Sequence, residues 1–281
     1  MITVENLTFS YTKQPFIKDM SFSVQPGEIF GFLGPSGAGK STVQKILTGL
    51  ITKYQGRVVV NSVEPKRRNS SFYEQIGVDF EVPCLFEKLS ARENLRYFAS
   101  LYKHTLALEP LLASVGLSSE ADKRVHAYSK GMKSRLNFIK ALLHEPAILF
   151  LDEPTSGLDP SNARVMKDLI LRQRDKGTTI LLTTHNMYDA TELCDRVAFI
   201  VDGQIRALDS PRNLIMQKGA VSVSYTYSNQ GIEYHRSTQL SQINEDVELQ
   251  EVLKNNLLLS IHSSEPTLND IFTELTGRKL Q

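Results

Sequence analysis

Three short stretches of the chain set a hydrophobic run beside residues able to handle phosphate, metal and water. The first is Gly34-Pro35-Ser36-Gly37-Ala38-Gly39-Lys40-Ser41-Thr42, which follows Ile29-Phe30-Gly31-Phe32-Leu33 and precedes Val43, Ile46, Leu47 and Leu50 at helical spacing. Strand, glycine loop and helix in that order form a phosphate-binding loop. Its glycines let backbone N–H groups turn inward as an anion nest, and the helix N-terminus adds partial positive charge. In such a loop Lys40 reaches the β- and γ-phosphates and the Ser41 hydroxyl ligates Mg²⁺. The bland alternative is a chance match, which at average glycine content arises in about one chain in a hundred of this length. The flanking elements lower that further.

The second stretch is the apolar run Ala147–Leu151, ending in Asp152-Glu153-Pro154. An uninterrupted apolar strand is buried on both faces of a parallel sheet, and ligands bind where such strands end. Asp152 is a candidate to hold Mg²⁺, and Glu153 to act as general base on an attacking water. Taken alone, the stretch could equally be a core strand capped by two solvated acids. The third, Ile180-Leu181-Leu182-Thr183-Thr184-His185, repeats the design with an imidazole that can donate to a γ-phosphate and orient water. A single histidine there is more often structural; the parallel with the Asp152 strand favours the site.

These groups need a sheet and helices to hold them. Strands are expected near Thr3–Phe9, Met20–Val24, Glu28–Leu33, Arg57–Asn61, Thr178–Thr184 and Arg196–Val201, with a hairpin at Asp202-Gly203 leading to Gln204–Leu208. Helical patterns run from Ser90 to Val115, Lys130 to Leu143 and Asn162 to Lys176. A break falls near Lys218-Gly219-Ala220. Beyond it Val221, Val223, Tyr225 and Tyr227 alternate with small polar residues, a strand follows at Asn256–Ile261, and Thr267 with Asp270 caps a final helix striped by Leu268, Ile271, Phe272 and Leu275. The tail reads as a small β-rich appendage whose simplest role is docking and stability.

Of the 281 residues, 32 are basic and 31 acidic, so no strong positive field argues for nucleic acid as the principal partner. Two cysteines, Cys84 and Cys194, fit neither a disulfide framework nor a zinc site. No apolar run approaches a membrane span, and the N-terminus lacks the order of a signal peptide. A cytoplasmic protein is expected, one that relies on another chain for any membrane step.

In sum and order these motifs resemble the ATP-binding cassette (ABC) ATPases, over about residues 1–215. The resemblance implies a P-loop NTPase-type α/β fold: a mostly parallel sheet, an antiparallel β subdomain and a helical subdomain at about 85–145. That nucleotide-binding domain would occupy 1–218 and the α+β appendage 219–281. It implies that Tyr11 stacks on adenine, that Tyr128-Ser129-Lys130-Gly131-Met132 is the signature motif, that Ser156-Gly157-Leu158-Asp159 is the D-loop and that His185 is the switch histidine. In the family the signature of one subunit closes over the γ-phosphate held by another. Ser129 would offer a hydroxyl and Gly131 a backbone N–H at a positive helix end, although Ser129 is also an ordinary N-cap.

Two departures stand out. The usual signature is Leu-Ser-Gly-Gly-Gln; here Lys130 adds a charge beside the phosphate and Met132 removes an amide donor. Alignment on Pro83 and Ser90–Leu95 sets Glu81 at the Q-loop glutamine. A carboxylate still ligates Mg²⁺ but cannot donate a hydrogen bond, and it adds negative charge near Glu153, so hydrolysis should be slower or more pH-sensitive. A shifted alignment would instead leave Glu81 a solvated loop acid. The resemblance implies an ATP-hydrolysing transport subunit that binds ATP and Mg²⁺. Its partners would be a second ATP-binding subunit, with a homodimer as the expected form, and a separate transmembrane permease. It would then sit at the cytoplasmic side of the membrane. The tail from Pro266 to Arg278 resembles exporter subunits, favouring export over uptake. The competing reading is a soluble ABC ATPase acting on nucleic acid or the ribosome; a P-loop kinase has no use for the signature.

Overall fold

The computed structural model describes residues 1–218, 222–264 and 266–277; Gly219 and Ala220 of the expected break, Val221 of the expected strand beyond it, and Arg278 lie outside them. Two compact units divide between Leu208 and Asp209.

In the first unit the chain runs β1 (Ile2–Phe9), β2 (Ile17–Val24), β3 (Ile29–Leu33), α1 (Lys40–Leu47), β4 (Gln55–Val60), α2 (Ser70–Tyr73), β5 (Ile76–Asp79), α3 (Ala91–Ala99), α4 (Leu108–Ser114), α5 (Lys130–Ala141), β6 (Ile148–Asp152), α6 (Pro160–Asp175), β7 (Thr179–Thr184), α7 (Met187–Leu193), β8 (Arg196–Val201) and β9 (Gln204–Asp209). A three-stranded antiparallel sheet, β2-β1-β4, faces a six-stranded sheet in the order β5-β6-β7-β3-β8-β9. Pairing among β5, β6, β7, β3 and β8 is parallel throughout. On β1, Ile2 and Val4 point inward; a register shift at Asn6, whose φ is 51°, returns Leu7 and Phe9 to the same face. Phe22 of β2 stacks on Phe30 and meets Phe32 edge-on at 5.6 and 4.9 Å between ring centroids, joining the two sheets through one core.

The central strands β3 and β6 are apolar until their last residues, as β7 is between Thr179 and Thr183, and that dictates where chemistry can occur. Leu33 of β3 is in register with Thr184 of β7, and Asp152 of β6 with Thr183. The glycine loop, Asp152-Glu153 and His185 therefore all leave the same edge of the sheet, the carboxyl edge where open α/β sheets bind ligands.

One helical region becomes two. The 90–115 pattern breaks between α3 and α4 because backbone N–H groups there are taken by tertiary partners: Lys103 N donates to Glu74 at 3.1 Å and Leu106 N to the Leu143 carbonyl at 2.8 Å. Ser90 starts α3 with a capping box shared with Glu93.

The second unit holds α8 (Pro211–Lys218), β10 (Ser222–Asn229), β11 (Ile232–Gln239), α9 (Val247–Lys254), β12 (Leu258–Ser264) and α10 (Leu268–Thr276). Its sheet, β11-β10-β12, buries Tyr225 and Tyr227 against Leu249 and Val252 of α9. Thr267 and Asp270 form the expected capping box, and Leu268, Ile271 and Phe272 are buried. The division falls earlier than the expected 218 because α8 packs against α10 and so belongs with the tail.

Candidate functional site

The glycine loop turns around the side chain of its own lysine. Gly39 precedes α1 at φ 112°, a value that disfavours any residue with a Cβ, and a Cβ there would also strike Ile17 at 2.6 Å. That turn points Lys40 back through the loop, where its ammonium donates to the Gly34 carbonyl at 2.6 Å and the Pro35 carbonyl at 3.2 Å. Burial lowers the Lys40 pKa, while Glu153, Asp152 and Glu81 oppose that shift. Three carboxylates thus favour the charge of a buried ammonium.

Those groups surround one cavity of about 300 Å³, lined by Ser36, Gly37, Ala38, Gly39, Lys40, Ser41, Thr42, Phe16, Glu81, Asp152, Glu153 and His185. The Ser41 hydroxyl stands 3.5 Å from Asp152 Oδ1. Thr183, the register partner of Asp152, donates to that same oxygen and fixes the carboxylate. Glu153 adopts a left-handed φ of 52°, an unusual conformation for a side-chain-bearing residue and one found at functional sites. Its backbone N–H donates to the Thr183 carbonyl at 2.9 Å. Its carboxylate is held at both oxygens, with His185 Nδ1 at 2.9 Å and the His185 backbone N–H at 3.4 Å. Pairing through Nδ1 leaves Nε2 to face the cavity.

Glu81 does reach this site. It follows β5, which lies beside β6, and it lines both this cavity and a neighbouring one of about 290 Å³ that adds Asp79, Tyr128, Lys130, Lys133, Asn137 and Ser156. Replacing Glu81 with glutamine should change the pH–rate profile of hydrolysis; an unchanged profile would remove a role for its charge.

Tyr11 sits beside the loop. Its hydroxyl is 3.0 Å from the Thr42 hydroxyl, and its ring packs edge-on to Phe9 and tilted against Phe16, with 60% of the residue exposed. An exposed ring fixed at one edge is suited to stacking on a base.

Ser129, Gly131 and Asp159 line neither cavity. Ser129 caps α5 by accepting from Met132 N at 3.2 Å, which leaves its O–H able to donate outward. Gly131 is buried against Asn162, and Asp159 caps α6, its carboxyl held below the usual range by bonds from the Asn162 side chain and backbone. Lys130 lies across Gly157, where a Cβ would collide with the ammonium. The cap and phosphate readings of Ser129 are therefore compatible.

Sequence reasoning missed Thr183, concealed in an apolar run, and a polar group made of buried Asp79 and Asn137 with half-buried Lys140. Burial pushes the Asp79 carboxyl up to about 7 against the charge of Lys140 and the bond from Asn137, and burial likewise lowers Lys140. A larger opening of about 800 Å³, with an apolar lining that includes Leu111, Phe138 and Leu142, holds none of the site residues.

Comparison with known proteins agrees with this geometry. A family model described as ABC transporter matches residues 17–156. A fluoroquinolones export ATP-binding protein of Mycobacterium tuberculosis is 49% identical over 286 residues, covering 100% of this chain and 94% of the relative. Nod factor export ATP-binding protein I of Rhizobium meliloti is 35% identical, covering 100% of this chain and 89% of the relative. A solved ATP-binding subunit of an ABC transporter superposes with a TM-score of 0.71 at 31% identity, covering 77% of this chain and 92% of that one.

Proposed function

The chain belongs to the ABC transporter family, as an ATP-binding and ATP-hydrolysing subunit, and from that premise we propose that pairs of it close around MgATP to drive export through a separate membrane subunit. The observation that carries this reading is the convergence of Lys40, Ser41, Glu81, Asp152, Glu153 and His185 on one cavity. Export is the direction because relatives matched over 94% and 89% of their lengths are export subunits by name.

Mg²⁺ fits the donor set. Ser41 Oγ and the Asp152 and Glu81 carboxylates are hard oxygen ligands of the kind the ion takes. No group of three or more His, Cys, Asp or Glu able to hold a metal occurs among the described residues, so phosphate oxygens and water must complete the sphere. When bound, the ion supplies charge that offsets the β- and γ-phosphates. Lys40 exchanges the loop carbonyls for phosphate oxygens. Glu153 takes a proton from the attacking water, and His185, when both ring nitrogens carry protons, donates through Nδ1 to Glu153 and through Nε2 to the γ-phosphate. Ser129 and Gly131 at the start of α5 close over the phosphate of a second copy, which completes each half-site.

Val82, Phe86, Tyr97 and Leu101 are exposed apolar residues on the Glu81 loop, α3 and the turn that follows it, a surface suited to the membrane subunit. No helix among the described residues is long and apolar enough to cross a membrane, and that subunit would hold the chain at the cytoplasmic face.

The purified chain should hydrolyse ATP in Mg²⁺ and fall to background in EDTA. Co-expressed with its membrane subunit, it should fractionate with the membrane. Undiminished turnover in EDTA, or a chain that stays unbound beside its subunit, overturns the proposal.

A further inference from the structure

Helix α5 has a polar stripe on the face turned toward the Glu81 loop. Lys133, Asn137 and Lys140 fall at spacings of four and three residues, which puts them on one side of a helix. Each grips a different point of the segment between β5 and α3. Asn137 Nδ2 donates to the Asp79 carboxylate at the end of β5 and to the Phe80 carbonyl at 3.4 Å. Lys140 donates to Asn137 Oδ1 at 2.6 Å and to the Cys84 carbonyl at 3.3 Å. Lys133 pairs with Glu87 at 2.6 Å, an exposed contact of small energetic weight. The buried end is different: Asp79 and Asn137 are 6% and 1% exposed. An apolar pair of the same volume would fill that space without the desolvation of a carboxyl and an amide.

The stripe also reaches the exposed aromatic surface. Lys140 lies over the Phe98 ring at 5.0 Å, and Phe98 stacks on Phe86, whose backbone N–H and carbonyl are both held by the buried Asn94 side chain. One end of the segment therefore carries Glu81 to the nucleotide, its far end carries Phe86 to the surface, and α5 holds both while presenting Ser129 and Gly131 at its own N-terminus.

We infer that Asp79, Asn137 and Lys140 are positioning residues that clasp the Glu81 loop to helix α5, so that the loop, the signature residues and the aromatic surface move as one body during the hydrolytic cycle. The inference rests on the ATPase reading above. None of the three lines the cavity at the phosphate loop. Their effect falls on the rate at which the closed, hydrolysing arrangement forms, and leaves the affinity of the phosphate loop alone.

Asp79→Val combined with Asn137→Ala keeps the summed side-chain volume and removes both members of the buried pair, while Lys140 keeps its bond to the Cys84 carbonyl. In the full chain this pair should melt close to the parent and keep its KM for MgATP within about twofold, while kcat falls about tenfold. Lys140→Met, which keeps the stem over Phe98, should lower kcat in the same way, and Lys140→Arg should restore it. A kcat within twofold of the parent in either Asp79→Val/Asn137→Ala or Lys140→Met overturns the clasp; if the double variant does not fold, Lys140→Met decides alone. A loss of kcat matched by an equal loss of stability, unrescued by arginine, also overturns it, since that would be a purely structural role. The two readings fail separately: a parent chain inert toward MgATP removes the ATPase, whereas an active parent with fully active variants removes only the clasp.

Discussion

Replacing Glu153 with glutamine should lower ATP turnover by at least about a hundredfold while ATP still binds. The substitution is nearly isosteric and leaves the surroundings in place: the left-handed backbone, the bond to the Thr183 carbonyl and the neighbouring Asp152 do not depend on the second carboxylate oxygen. What disappears is the anionic base. An amide nitrogen cannot accept a proton from water, and an amide oxygen accepts one only as a very weak base. The His185 contact at 2.9 Å survives in part, because the amide oxygen still accepts from Nδ1. Binding is preserved because Lys40, Ser41 and Tyr11 are untouched, and loss of one negative charge facing the γ-phosphate favours it slightly. With ATP bound and uncleaved, the pair of half-sites should remain closed, so size-exclusion chromatography in MgATP should show a dimer for Glu153→Gln that the parent forms only transiently. Turnover within tenfold of the parent would remove Glu153 as the base.

The groups at strand ends were legible because each announces itself twice, once as an apolar run and again as the polar residue that ends it. Asp152, Glu153 and His185 follow that rule, and Lys40 follows its apolar run across the glycine loop. Glu81 was legible through the spacing to Pro83 and Ser90, and the structure places it on the cavity with the others. Thr183 was not, because a threonine inside Ile180–Thr184 looks like any β-branched strand residue until β6 is laid beside β7 in register. The clasp was invisible for a related reason: Asp79 and Asn137 lie 58 residues apart, and neither has a local pattern that names the other. Among the elements, α7 was missed because seven residues of mixed polarity give little periodicity. Strand β11 was missed because nearly all of its side chains face solvent, so it lacks the alternation that marked β10; its hairpin at Gln230-Gly231, both at positive φ, is clear only once the pairing is seen. Burial patterns report what faces a core, and an edge strand or a buried polar lace leaves no such record.

Lys40→Ala should weaken ATP binding about 10- to 100-fold, the cost of the charge-assisted bonds an ammonium makes to phosphate. The charge balance of the cavity explains why the loss is large. Among the described residues lining it, Lys40 is the one lysine or arginine, set against the carboxylates Glu81, Asp152 and Glu153. With Lys40 removed, an anionic nucleotide meets three acids, and the loop's backbone N–H groups and Mg²⁺ must offset them unaided. Alanine also removes the tie between the helix start and the Gly34 and Pro35 carbonyls, so the loop loses the contact that shapes it before nucleotide arrives. Lys40→Arg separates the two contributions: it restores charge but places a longer, planar head in a space fitted to an ammonium, and it should recover only part of the affinity. Titration with MgATP measures all three. The sensitivity to Mg²⁺ should rise in Lys40→Ala, because the metal is then the remaining cation between the phosphates and the acids. An affinity within threefold of the parent would mean that the phosphates bind elsewhere than in this loop.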